Sequence, residues 1–256
     1  MSSELTEAER ALRTAFELMQ VGEEAKALDV IMQSVHAQRA TATEADFDGA
    51  QLARTLNHAG VLHANMEKHE EAVALHEEAL QLQRKALPVG HVEVGLTLQR
   101  LAAELHTAGG DQLPRAHACY TEALQLIKAH HEAGGDPKAT AVELANTYAG
   151  LGGVCNNMFK YNAAVDHFEH ALLLLADVAG ADSPAYTNLE ETAKYCRGMM
   201  KQQGQFPISD CQACGGNPAA KLCSGCKEAR YCSKECQAKH WKKHKKLCRV
   251  GKAAKA

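Results

Sequence analysis

Residues 211–248 read CQACGGNPAAKLCSGCKEARYCSKECQAKHWKKHKKLC, and they hold seven of the ten cysteines of the chain. The ligand-type residues are Cys211, Cys214, Cys223, Cys226, Cys232, Cys236, His244 and Cys248, in the pattern Cys-x2-Cys-x8-Cys-x2-Cys-x5-Cys-x3-Cys-x7-His-x3-Cys. Eight ligands make two sets of four, the number a closed structural zinc requires. A two-residue gap lets one tight turn aim both sulfurs at one metal, and Gly225 inside the second such pair eases that turn. The large apolar residues here are few: Leu222, Tyr231, Trp241 and Leu247. A segment this short cannot bury enough surface to offset its chain entropy. Each structural zinc supplies on the order of 10–16 kcal/mol of apparent binding energy, which becomes folding energy. The competing reading is a disulfide framework. It is disfavoured because the chain opens without a charged-then-apolar leader and three further cysteines lie scattered elsewhere.

Spacing alone leaves the ligand pairing open. Sequential pairing gives Cys211/Cys214/Cys223/Cys226 and Cys232/Cys236/His244/Cys248. Interleaved pairing gives Cys211/Cys214/Cys232/Cys236 and Cys223/Cys226/His244/Cys248. Both yield one all-cysteine site and one site of three cysteines and a histidine. His240 is a rival ligand, four residues after Cys236 on the expected helix. Four ligands per metal are available without it, so it reads as a surface residue.

The run from Cys223 to Cys248, with Tyr231-Cys232, Cys236-Gln237, Trp241, His244 and Cys248 in place, resembles a MYND-type zinc finger. The resemblance covers all eight ligands and the aromatic positions between them. It implies two Zn2+, the interleaved pairing, and His244 over His240. It also implies a role, since MYND fingers bind short proline-containing peptides and do not read DNA. The peptide's place carries over to Trp241, flanked by Gln237 and Ser224. From the residues alone, a lone Trp in so small a module is its mini-core, an exposed platform for proline, or both.

The formal net charge of −3 conceals a division. Residues 207–256 hold 12 Lys/Arg against 3 Asp/Glu, and residues 1–206 hold 16 against 28. Seven thiolates on two zinc ions reduce the basic excess of the tail from +9 to about +6. Lys239, Lys242, Lys243, Lys245 and Lys246 fall on several faces of one short helix, which reads first as a solvated surface. Attraction to acidic protein surfaces comes second and nucleic acid third. No run of 18 apolar residues exists to span a membrane. Reduced cysteines with zinc point to the cytoplasm or nucleus.

From Thr6 to about Gln203 the composition and the three- and four-residue apolar spacing predict helix almost throughout. Thr6-Glu7-Ala8-Glu9 fits a capping box. Gly109-Gly110, Gly134-Gly135 and Gly180 are expected to end helices, and Asp136-Pro137 and Ser183-Pro184 to restart them. Aligned helix pairs expose a repeat. The second helices carry small residues seven apart: Ala27/Ser34, Ala72/Ala79, Ala116/Ala123 and Ala164/Ala171. Four residues after the first member comes Ile31, His76, Tyr120 or Phe168. On the first helices the small partners are Ala15, Gly60, Ala102 and Gly152. Small residues there let two helices cross closely, and the bulky one is expected to fill the gap between neighbouring pairs.

This pattern resembles tetratricopeptide (TPR) repeats, most clearly at Leu56-Asn57, Gly60, Ala72 and Ala79-Leu80. Repeats recur every 44 to 48 residues, longer than the usual ~34, as in the long-helix variety of kinesin light chains. The expected architecture is an all-α TPR-like array over residues 1–203, about four helix pairs with a capping helix at 183–203. A linker at 204–210, the MYND finger at 211–248 and a basic tail at 249–256 follow. In TPR arrays the first helices line the concave side. The resemblance therefore places Arg54, Asn57, Gln99, His106 and Asn146 on a peptide-binding groove, with Asn65, Asn156 and Asn157 also fitting as helix-terminal residues. The paired-carboxylate clamp of some TPR proteins is not expected, because repeat one has Leu12 and Phe16 where its polar residues stand.

No catalytic constellation accompanies these modules. His76-Glu77-Glu78-Ala79-Leu80 begins like a metalloprotease helix but lacks the second histidine. His167 and His170 lie one turn apart and read as ordinary helix residues. Gly150-Leu151-Gly152-Gly153 follows no strand, so it is no dinucleotide loop. Cys119, Cys155 and Cys196 read as small core residues. The expectation is a non-enzymatic adaptor holding one partner on the helical groove and another on the finger. Two alternatives stand behind it: a non-catalytic relative of MYND/SET methyltransferases, and a nucleic-acid-associated factor using the lysine-rich end.

Overall fold

A short polar side chain that can answer orphan backbone amides stands at the head of several helices. The architecture is that of a computed structural model, which describes residues 6–41, 48–203, 213, 221–223, 229–231 and 233–245. Thr6 starts α1 (Glu7–Gln20) with a complete capping box: its hydroxyl accepts from Glu9 N at 3.2 Å, and Glu9 accepts from Thr6 N at 2.7 Å. Asp48 accepts from the amides of Ala50 and Gln51 to start α3 (Gly49–Asn65). Asp136 does the same for Lys138 and Ala139 at the head of α7 (Pro137–Asn157), and Ser183 caps α9 (Pro184–Gln202). The expected stops hold as well: Gly109, Gly134 and Gly180 follow helix ends. Gly110–Gln112 forms a 3-10 turn directly after Gly109.

The chain divides into two compact units, residues 1–150 and 151–256. In the first, α1 pairs with α2 (Glu24–Ala40), α3 with α4 (His69–Ala86), and α5 (Val92–Ala108) with α6 (Leu113–Glu132). Each pair also packs on the next, α2 on α3 and α4 on α5. The predicted small residues are all buried, from Ala15 and Ala27 to Ala116 and Ala123. Ile31, Leu56, Ala59 and Leu62 sit in the core shared by α1 to α4.

The bulky residue of the repeat sits differently from the expectation. His76 lies over Gly60 of its own pair, so close that a Cβ on Gly60 would fall 2.6 Å from His76 Cε1. A missing side chain on the first helix opens a slot one ring wide, and the ring takes it before reaching any neighbouring pair. Tyr120 follows the expected route, packing onto Gly150 of the next helix.

The outer face is laced by ion pairs between successive second helices. Arg39 holds Glu78, Arg84 holds Glu122, and Arg115 pairs with Glu77. Such exposed pairs contribute only about 0–1 kcal/mol each. Cys119 lies among them, half-buried, and so is not the core residue expected; burial still raises its thiol pKa.

In the second unit, α8 (Tyr161–Val178) packs on α9 around Cys155, Tyr161, Phe168, Cys196 and Met200. Phe168 lies on Gly152, where a Cβ would fall 2.4 Å from Phe168 Cε1. The unit also contains β1 (Lys221–Leu222), β2 (Arg230–Tyr231) and α10 (Lys234–His244).

Three of the turns inside helix pairs share one conformation. Gly22, Glu67 and Phe159, each immediately before a second-helix N-cap, have φ of +77°, +60° and +58°. The last two turns read Asn-Met-x-Lys, at 65–68 and 157–160. Phe159 is 68% exposed at this left-handed position.

Candidate metal centre and partner-binding surfaces

A two-residue antiparallel ladder, Lys221 opposite Tyr231 and Leu222 opposite Arg230, brings Cys223 back beside the start of α10. Cys223 N donates to Ala229 O at 2.7 Å, closing the hairpin. Ser233 then answers the amide of Cys236 at 3.2 Å and starts α10. Tyr231, 0% exposed, is the centre of this module, with Cys223, Ala213, Ala229 and Cys236 around it.

His244 projects from the end of α10 onto the hairpin and is buried, its Nε2 3.3 Å from Cys223 Sγ. Two donors on one tetrahedral zinc, at ~2.05 Å for nitrogen and ~2.3 Å for sulfur, stand about 3.6 Å apart. The pair therefore fits a shared metal to within a few tenths of an ångström. Cys236 is the third expected ligand among the described residues and is half-buried. Cys211, Cys214, Cys226, Cys232 and Cys248 lie outside the described residues, as does Ser224. Among the described residues no three metal-binding side chains converge, because most of the expected set is not among them.

His240 is not the surface residue expected. It is half-buried, its Nδ1 3.0 Å from the Tyr231 hydroxyl, and its ring stacks on His244 at 5.9 Å between centroids. A buried phenol needs a hydrogen-bond partner, and one helical turn of α10 brings His240 to it. Trp241 is 44% exposed, with its ring centroid 5.8 Å from that of His244. Gln237 is half-buried on the same helix. Tyr231 thus takes the mini-core role and Trp241 stands partly in solvent.

The groove residues separate into two kinds. Arg54 is exposed on α3, paired with Glu93 at 3.2 Å and donating to Gln51. Asn146 is exposed on α7 and His106 is half-buried on α5. Asn57 and Gln99, however, are spent inside the protein. Asn57 is 5% exposed; its Nδ2 donates to Thr97 Oγ1 at 2.6 Å and its Oδ1 accepts from His76 Nδ1 at 2.9 Å. Gln99 uses both amide hydrogens on Glu143 O and Thr147 Oγ1, each at 2.9 Å. Both amides bridge neighbouring helices; Asn57 is buried where an open groove residue was expected, while Gln99 stays half-buried. Asn65 and Asn157 are the last residues of α3 and α7, and Asn156 accepts the Cys196 thiol at 3.2 Å.

Sequence reasoning missed Gln83 and Arg100. Both line a cavity of about 160 Å3 with Arg54, Asn57, His58, Glu93 and Leu96. One signal was present: Gln83 falls seven residues after His76 on the buried stripe of α4, where an apolar residue is the rule.

Residues 211–248 match the MYND finger family and residues 52–93 the tetratricopeptide repeat family. Protein CBFA2T2 of Xenopus laevis is 50% identical over 50 residues, and those of Mus musculus and Homo sapiens are each 49% identical. The matched stretch is 20% of this chain but only 8% of those proteins, so this chain accounts for under a tenth of their length. Two solved structures share the helical fold. A putative kinesin light chain with nearly identical TPR-like repeats from Podosopora anserina has TM-score 0.56 and 16% identity, covering 78% of this chain and 90% of its own. BtubC (BKLC) from P. vanneervenii has TM-score 0.54 and 17% identity, covering 76% and 88%. Among the described residues no helix is long and apolar enough to cross a membrane. Modules of both matched kinds bind other proteins, and the finger is a zinc-binding one. The chain carries a MYND-type zinc finger at residues 211–248, preceded by tetratricopeptide repeats whose helical fold is like that of the kinesin-light-chain TPR-like repeats.

Proposed function

We propose that this protein is a non-catalytic adaptor of the cytoplasm or nucleus, holding one protein partner on its helical repeats and a proline-containing peptide on its finger. The repeats would act over residues 1–203 and the finger over 211–248, joined by the linker 204–210 and followed by the basic tail 249–256. Two zinc ions hold the finger, one on Cys211, Cys214, Cys232 and Cys236, the other on Cys223, Cys226, His244 and Cys248. The 3.3 Å approach of His244 to Cys223 supports this interleaved set, because sequential pairing would put the two on different metals. The metals supply folding energy and no chemistry beyond it.

The observation that carries the peptide reading is the partial exposure of Trp241 on α10, where its indole is backed by His244. An indole fixed from behind and open in front offers a flat apolar face to a proline ring at little entropic cost. Gln237 on the same helix, with Ser224, would hydrogen-bond the peptide backbone beside it. On the repeats, Arg54, Gln99, His106 and Asn146 are candidate partner contacts.

Titration calorimetry of the zinc-loaded chain with a PxLxP-type peptide tests the finger reading. Trp241→Ala is expected to abolish binding while native mass spectrometry still finds two zinc ions. Unchanged affinity in that variant would remove Trp241 from the binding surface.

A further inference from the structure

The helix α9 is covered on one side only. Ala193, Cys196 and Met200 pack it on α8 and the end of α7. On the opposite side Asn188, Glu191, Tyr195, Gly198 and Gln202 are all exposed, and they recur at alternating three- and four-residue steps. That spacing lines up one helix face for a second helix. Tyr195, 57% exposed, is the large apolar side chain of this face. Among the described residues, a Cβ on Gly198 would meet nothing within 4 Å.

Gly198 stands one repeat length after Gly152. At Gly60, Gly150 and Gly152 a missing side chain opens a slot, and a ring from a neighbouring helix fills it: His76, Tyr120 and Phe168 in turn. The slot at Gly198 is open, and an exposed ring stands one turn before it on the same face. The charges of α9 are divided along its length. Glu190 and Glu191 come first, Lys194 and Lys201 after them. Among the described residues none of these four forms an ion pair, whereas Arg197 on the inner side is held by Glu169 at 3.4 Å.

We propose that α9 is a self-association surface, on which two copies of this chain pair their α9 helices antiparallel about a two-fold axis. The axis passes midway between Tyr195 and Gly198, so each tyrosine ring enters the slot at Gly198 of the other copy. A two-fold axis repeats every contact, and a face that carries both ring and slot therefore complements itself. The same register brings Glu191 level with Lys201 of the other copy, to within one residue rise of ~1.5 Å. Parallel pairing would instead set like charges side by side. One helix pair with a mostly polar seam belongs to the class that buries under ~1,200 Å2, so the dimer forms only as the chain becomes concentrated. The pairing holds whatever the repeats and finger bind. It would place two fingers and two arrays on one particle, which raises avidity for clustered partners with no new partner contact.

Sedimentation velocity of the zinc-loaded full chain, from about 1 to about 300 µM, tests the pairing over the range of a weak interface. The expected result is a monomer that passes to a dimer as concentration rises. Tyr195→Ala, which removes the ring, and Gly198→Ala, which fills the slot, should each weaken the dimer at least about tenfold. Alanine favours helix at an open position, so the dilute Gly198→Ala chain should melt no lower than the parent, and its loss of dimer is not a loss of fold. Glu191→Lys alone and Lys201→Glu alone should each weaken the dimer, because each sets like charges together twice. An equimolar mixture of the two variants should recover it. The two positions are about 15 Å apart along one helix, so recovery arises only between copies. A monomer at every concentration overturns the proposal. So does a dimer that both alanine variants leave intact, or a mixture of the charge variants that associates no better than either alone.

Discussion

His76 Nδ1 lies 2.9 Å from Asn57 Oδ1, and that one contact ties the second helix of a repeat to its own first helix. Asn57 then reaches Thr97 at 2.6 Å, extending the tie to the next pair. Because Asn57 Oδ1 can only accept, His76 Nδ1 carries the proton. The ring occupies the slot above Gly60, so the hydrogen bond and the close helix crossing are set by the same side chain. An apolar ring would fill the slot but leave a buried amide oxygen unpaired, which is costly.

Acid should loosen the repeats through this histidine. Burial, then the charge of Arg100, bring the His76 pKa down from 6.5 to about 4. The unfolded chain therefore takes up the proton more readily than the folded one. The contribution is complete above about pH 6.5 and is lost as pH falls toward 4. At ~1.36 kcal/mol per unit, it amounts to about 3 kcal/mol. Urea denaturation followed from pH 7 to pH 4.5 should show stability falling across this window. His76→Gln, which keeps an amide donor, should flatten the slope by close to one proton. An unchanged slope would exclude His76 as its source.

Glycine-to-alanine changes should divide sharply by position. A Cβ on Gly60 would stand 2.6 Å from His76, and one on Gly152 would stand 2.4 Å from Phe168, both rings wedged in the core. Overpacking of this kind costs about 1–3 kcal/mol. A Cβ on Gly198, inside α9, would have nothing within 4 Å. There alanine should stabilise by about 0.5–1 kcal/mol, the ordinary helix preference. Thermal melts of the three variants check the division, and a stabilising Gly152→Ala would refute the close packing.

Much of the repeat was legible because small residues seven apart survive any choice of partner. Ala72/Ala79 and Ala164/Ala171 mark a helix face whatever lies across it, and all four are buried. The helix boundaries were equally local, set by Asp136, Ser183 and Gly109. What stayed hidden depends on residues distant in sequence. Asn57 looks like a groove amide until Thr97, forty positions on, is known to be beside it. His240 looks like surface until a two-residue ladder swings the Tyr231 hydroxyl toward α10. The cavity at Gln83 was least legible, since its lining comes from three separate helices.

The turn at Glu67 offers a stabilising change. Its φ of +60° matches Gly22 in the first repeat, but a side chain is strained there. A left-handed residue costs about 1–2 kcal/mol, and glycine loses about 0.4–1 kcal/mol of that through its freer unfolded state. Glu67→Gly should therefore raise stability by about 0.5–1 kcal/mol. A lowered melting midpoint would mean the carboxylate contributes more than the backbone strain takes away.

The two histidines of α10 should answer differently to removal. His244 Nε2 stands at ligand distance from Cys223, whereas His240 holds the Tyr231 hydroxyl and backs the His244 ring. His244→Ala should lower the zinc count from two to one in native mass spectrometry, because three cysteines left around a fourth open position bind structural zinc less tightly. His240→Phe should retain two zinc ions, since no ligand is lost, but leave a buried phenol unpaired at a cost of about 1–3 kcal/mol. That cost should show as faster zinc release to a chelator, with the helical circular dichroism of the repeats unchanged. A zinc count lowered by His240→Phe and untouched by His244→Ala would transfer the ligand role from one residue to the other. It would also move the metal one helical turn toward the start of α10.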